Sequence, residues 1–124
     1  MVPASARESR AAYLHGLDLY NRGQFFECHE ALEEIWREAA GPERLFLQSL
    51  IHFAVAFHHH GRQNPMGALL QLGKGLRKLA GYLPEYGGLD TWRLYQEGRE
   101  AFRGIRAGGL ARPPAMRPRQ PPSG

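Results

Sequence analysis

QFFECHEALEEIWREAAG, residues Gln24 to Gly41, places two phenylalanines, a tryptophan, a histidine and five glutamates on one predicted helix. At about 100° per residue, Phe25, Cys28, Leu32, Ile35, Trp36 and Ala39 share one arc and form the expected buried face. Glu27, Glu30, Glu34 and Glu38 fall on the opposite, solvated side. His29 and Glu33 are four residues apart, so their side chains are neighbours on the helix surface. They sit at the edge of the apolar arc, beside Trp36 and Phe26. A polar pair there needs partners, since each unsatisfied buried group costs about 1–3 kcal/mol.

Upstream, Ser5 and Glu8 have the spacing of a capping box that opens a first helix. Tyr13, Leu14, Leu17 and Tyr20 give that helix its buried stripe. Asn21-Arg22-Gly23 closes it, with a glycine free to take the left-handed conformation. So short a link predicts an antiparallel helical hairpin.

Downstream, Gly41-Pro42 ends one helix and begins the next, because proline suits the first helical position. Residues 42–60 are apolar almost all round, with Leu47, Leu50, Phe53, Ala54 and Phe57 on a broad arc. A helix of that kind belongs at the centre of a bundle. Its polar stripe is Gln48, His52 and His59, and Gly61 is expected to stop it. Asn64-Pro65 predicts the cap and first turn of a fourth helix. Leu69, Leu72, Leu76, Leu79 and Leu83 then form a seam. A turn-rich break from Leu83-Pro84 to Gly88 leads to Asp90, the expected cap of a fifth helix. Trp92, Tyr95, Phe102 and Ile105 make its apolar stripe, and Gly108-Gly109 ends it.

No segment alternates as a strand. The fold class is therefore all-α, a compact bundle of five helices forming one domain over residues 1–106. Residues 107–124 form an Arg/Pro-rich tail whose proline content and few apolar groups predict disorder.

With 43% apolar and 23% charged residues, the composition is ordinary for a globular protein. The lone cysteine, Cys28, excludes an internal disulfide framework and fits a reducing cytoplasm. No apolar run reaches the roughly 18 residues that span a membrane. The residues MVPASARESR lack the hydrophobic core of a signal peptide. The net charge is +4, but Arg112, Arg117 and Arg119 in the tail supply three of those charges. A body so near neutrality argues against a dedicated nucleic-acid face.

The segment YNRGQFFECHEALEEIW, residues 20–36, resembles the signature of the family called "domain of unknown function 309". So do LFLQSLIHFAVAFHHHGRQNPMGA, residues 45–68, and the leucine seam that follows. The resemblance runs over residues 10–83 and puts Phe26, Glu27, His29, Glu30, Glu33, Trp36, Gln48, His59 and Asn64 at motif positions. It implies a compact helical bundle and no particular chemistry. The chain departs from the pattern at His52, where glutamine is expected, and at Pro65.

Three readings of the polar residues follow. In the first, a divalent metal lies between the second and third helices. Its ligands would be His29, Glu33 and His59, with His52 as a fourth, since imidazoles with a carboxylate suit zinc or a similar ion. Glu30 is then the candidate general base for metal-assisted hydrolysis, and Glu27, Gln48, Trp36 and Asn64 are candidate contacts to a small-molecule ligand. The spacing fits neither His-Glu-x-x-His nor Glu-x-x-His.

In the second reading, the same groups form a structural network that fixes helix register, and His58 and His60 favour the C-terminal dipole of their helix. In the third, the protein is an interaction module or homodimer. The acidic second helix and the basic Lys74, Arg77 and Lys78 of the fourth then pair within the fold or across copies.

Overall fold

The structure, a computed structural model, describes residues 4–118, with side chains from Arg7 onward. Five helices follow in order: α1 Ala4–Asn21, α2 Phe25–Glu38, α3 Pro42–Gly61, α4 Pro65–Leu79 and α5 Thr91–Arg106. The Ser5 cap expected for α1 lies outside the described side chains. Pro42 and Pro65 occupy first turns as expected, and Asn64 and Asp90 cap α4 and α5 by accepting from the Gly67 and Arg93 amides.

Helices α1, α3 and α5 end in the same closure. After α1, the Gln24 amide donates to the Leu19 carbonyl and the Gly23 amide to Tyr20, with Gly23 at φ +80°. After α5, Gly109 and Gly108 repeat the pair onto Gly104 and Ile105. At the end of α3, Asn64 donates to His59 and Gln63 to His60. The left-handed position there is Gln63, at φ +59°, where glycine is the usual occupant. The helix ends at Gly61, as expected, and the left-handed residue comes two positions later.

The apolar patterning of α3 has the predicted outcome. Phe46, Leu50, Phe53, Ala54, Ala56 and Phe57 are all buried. This helix packs on α2 on one side and α4 on the other, with α1 against α2 and α5 against α4. Glycines make the α3–α4–α5 approach close. A β-carbon on Gly75 would lie 2.8 Å from Phe53 Cδ1, and one on Gly98 would lie 2.9 Å from Phe53 Cε2. The Phe53 ring thus occupies space that any side chain at those two positions would need.

Three features differ from expectation. The break before α5 holds a 3-10 turn, Ala80–Tyr82, and an antiparallel hairpin of two-residue strands, β1 Glu85–Tyr86 and β2 Leu89–Asp90. Strands that short carry no alternation to read, and Gly87-Gly88, both at positive φ, supply the turn. Trp92 is 49% exposed, while Leu94, Ala101 and Ile105 carry the buried face of α5.

The third difference is in the tail, where composition predicts disorder. Its described part, 107–118, instead lies on the bundle. Met116 is 0% exposed. Its amide donates to Asn21 Oδ1 at 2.8 Å, and its carbonyl accepts from Asn21 Nδ2 at 3.0 Å. The Asp90 amide donates to the Arg117 carbonyl at 3.2 Å, and Leu89 and Pro118 form a bridge. Backbone groups that a proline-rich segment cannot pair with itself find partners on α1 and the hairpin.

Candidate functional site

Since α2 and α3 are antiparallel, the first turn of α2 meets the last turn of α3. Phe25, Phe26 and His29 there face Val55, His58 and His59 across a cleft of about 140 Å³. Phe26 is 48% exposed, and its ring centroid lies 5.7 Å from that of His29 and 5.6 Å from that of His58.

Hydrogen bonds fix two of these imidazoles. His29 Nε2 lies 2.8 Å from Glu33 Oε2, one turn on. A carboxylate there accepts the Nε2 proton, so a neutral ring keeps its lone pair on Nδ1. His59 Nδ1 lies 3.2 Å from Asn64 Nδ2, whose amide is oriented because Oδ1 accepts from the Gly67 amide at 3.1 Å. His59 therefore accepts at Nδ1 and, when neutral, keeps its proton on Nε2. Beside His58, the cleft thus holds His29, whose Nδ1 acceptor has no partner among the described residues, and His59, whose Nε2 donor has none among them. A β-carbon at Gly67 would come 3.0 Å from His59 Cγ, so the fourth helix starts hard against this ring.

The sequence-derived candidates separate into groups. His29 and Glu33 are brought together, as are His59 and Asn64, and both histidines line the cleft. His52 is not there. Its Nδ1–H donates to Gln71 Oε1 at 2.8 Å and its Nε2 accepts from the Lys78 ammonium at 2.9 Å, both on α4. Burial lowers its pKa, and the Lys78, Lys74 and Arg77 charges add to that against the Gln71 bond. A ring clamped as a donor on one side and an acceptor from a cation on the other has no lone pair for a metal.

Gln48 is half-buried on α3 outside the cleft, and Glu27 and Glu30 are exposed on α2 outside it. Trp36 lies at the other end of α2, its ring 3.9 Å from the Arg44 guanidinium. Among the described residues, no three of His, Cys, Asp and Glu converge in a set that could hold a metal.

His58 is the residue that the sequence reading passed over as a helix-end group. The signal for it was topological: a short α2–α3 link places the start of one helix beside the end of the other. His60, expected as an imidazolium favoured by the dipole, instead accepts from the Ala111 amide at Nε2, 3.2 Å away, and so anchors the tail. Burial pushes the Cys28 thiol up to about 12, which makes it an inert core group rather than a nucleophile. No described helix is long and apolar enough to cross a membrane.

Two comparisons relate the chain to known proteins. The chain is 40% identical over 75 residues to the uncharacterized protein YpuF of Bacillus subtilis (strain 168), a segment covering 58% of this chain and 43% of that protein. The chain thus spans less than half the length of that relative. It is through residues 13–70, from Tyr13 in α1 to Leu70 in α4, that the chain matches the family described as Domain of unknown function (DUF309).

Proposed function

We propose that this protein is a small-ligand-binding helical bundle whose site is the α2–α3 cleft. The observation that carries this reading is the convergence of Phe26, His29, His58 and His59 on one cleft. The cleft is smaller than the roughly 300 Å³ at which drug-sized pockets begin, so it suits a single ring. The orientations of His29 and His59 select a planar molecule that presents one hydrogen-bond donor and one acceptor, as a cyclic amide does.

The test is a nuclear magnetic resonance titration of untagged protein with 2-pyridone, with benzene as the apolar control. Saturable shifts of the His29, His58 and His59 rings are expected with 2-pyridone, and their loss in His59→Ala and Phe26→Ala. No saturable shift by about 10 mM, where a ligand with about 4 kcal/mol of affinity would be bound, rejects the ligand.

A divalent ion is the second reading, favoured by the Glu33 carboxylate that holds His29 in the manner of a metal-supporting pair. It ranks second because a third ligand does not converge with these two. Near-stoichiometric zinc or manganese in untagged protein, lost in His29→Ala, would put it first.

A further inference from the structure

Along the outer side of α2, Phe26, Glu30, Glu34 and Glu38 follow one another at four-residue intervals, all exposed. From Glu30 to Glu38 this ladder rises about 12 Å. None of the three carboxylates has a cationic partner among the described residues.

On the opposite flank, beyond α3, helices α4 and α5 enclose a groove of about 290 Å³. Tyr95 and Phe102 line it, with Arg77, Arg99, Arg103 and Arg106 around them and no acidic side chain. Arg99, Arg103 and Arg106 rise about 10.5 Å along α5. These guanidiniums have no carboxylate partner among the described residues, and that of Arg99 lies 5.8 Å from the Tyr95 ring. One molecule therefore carries two unneutralised helical stripes of opposite sign and similar length, one led by an exposed ring and the other lined by aromatic side chains.

We propose that the α2 ladder of one copy docks in the α4–α5 groove of a second copy. Phe26 seats on Tyr95 and Phe102, and Glu30, Glu34 and Glu38 meet the arginines. Exposed ion pairs are individually weak, so the carboxylates set register and orientation while the seated ring supplies apolar burial. The two surfaces differ, so the contact is heterologous. Each docked copy keeps one unused ladder or groove, and association continues into chains or rings.

Sedimentation velocity of the untagged full chain tests this at about 50 mM and about 1 M salt, where the screening lengths differ several-fold. Phe26 is left in place, so that the α2–α3 cleft is untouched. The wild type is expected to form species larger than a dimer at low salt and to dissociate at high salt. Glu30→Gln/Glu34→Gln and Arg99→Gln/Arg103→Gln, each folded by circular dichroism, should each weaken association about tenfold or more, a loss of about 1.4 kcal/mol or more. Mixed together, these two variants should form one-to-one dimers and nothing larger, since only one complementary pair of faces survives. A wild type that stays monomeric at low salt overturns the proposal, as does association that either variant leaves intact. Binding of an added acidic peptide or oligonucleotide to the groove with no self-association also overturns it, by assigning the groove another occupant.

Discussion

His52 is held as a neutral imidazole by Lys78, whose ammonium donates to the ring Nε2 across 2.9 Å. Protonation at Nε2 would set two donors against each other. The folded-state pKa is accordingly lowered from 6.5, mainly by burial. As pH falls through the unfolded value near 6.5, the unfolded chain takes up the proton first, so stability is retained above that pH and declines below it. His52→Gln removes this component. Urea midpoints between pH 8 and pH 5 should fall less steeply for the variant than for the wild type, and identical slopes would show that His52 is not linked to folding.

Gln63 takes the left-handed position that closes α3. Its backbone hydrogen bond to His60 does not need a side chain. Gln63→Gly should therefore stabilise the protein by about 1 kcal/mol, read as a raised urea midpoint at constant slope. A destabilised variant would mean that the glutamine side chain makes a contribution larger than the strain.

Arg44 joins the end of α2 to the start of α3. Its Nη1 donates to the Trp36 carbonyl at 2.9 Å and to the Ala39 carbonyl at 3.3 Å, while the guanidinium lies over the indole. A flat, forked cation does both tasks at once, and an ammonium cannot. Arg44→Met should cost about 1–3 kcal/mol, and Arg44→Lys should recover less than half of that by the same denaturation measurement. Full recovery with lysine would reduce the role of Arg44 to its charge.

The amide of Asn21 pairs with both backbone groups of Met116. In Asn21→Ala, the Met116 and Asp90 amides should lose hydrogen-exchange protection by about tenfold or more, while the amides of α3 keep theirs. Uniform loss across α3 would mean that the tail and the bundle open as one unit.

Helix positions were legible because the signals were local: Pro42, Asn64-Pro65 and Asp90 each announce a start, and the α3 pattern announces a buried helix. The tail was not legible, since low apolar content says nothing about one methionine finding a core site beside Asn21. The His29–Glu33 contact was legible from its four-residue spacing, whereas the His59–Asn64 contact was not, and His52 meets α4 rather than α2. Helix α3 has partners on both sides, and a seven-residue separation from His59 does not say which one His52 meets. Trp36 was read beside His29, yet it lies at the far end of α2 with Arg44.

The docking of Met116 also bears on how the protein is made. Its contact with Asn21 joins residues 95 apart in the chain. During synthesis, which presents the N-terminal helices first, the site beside Asn21 stays unfilled until nearly the whole described chain has emerged. A premature stop or a frameshift near residue 110 would thus release a bundle with all five helices and an open seam at its end, a substrate for proteolysis rather than a protein that has merely lost its tail.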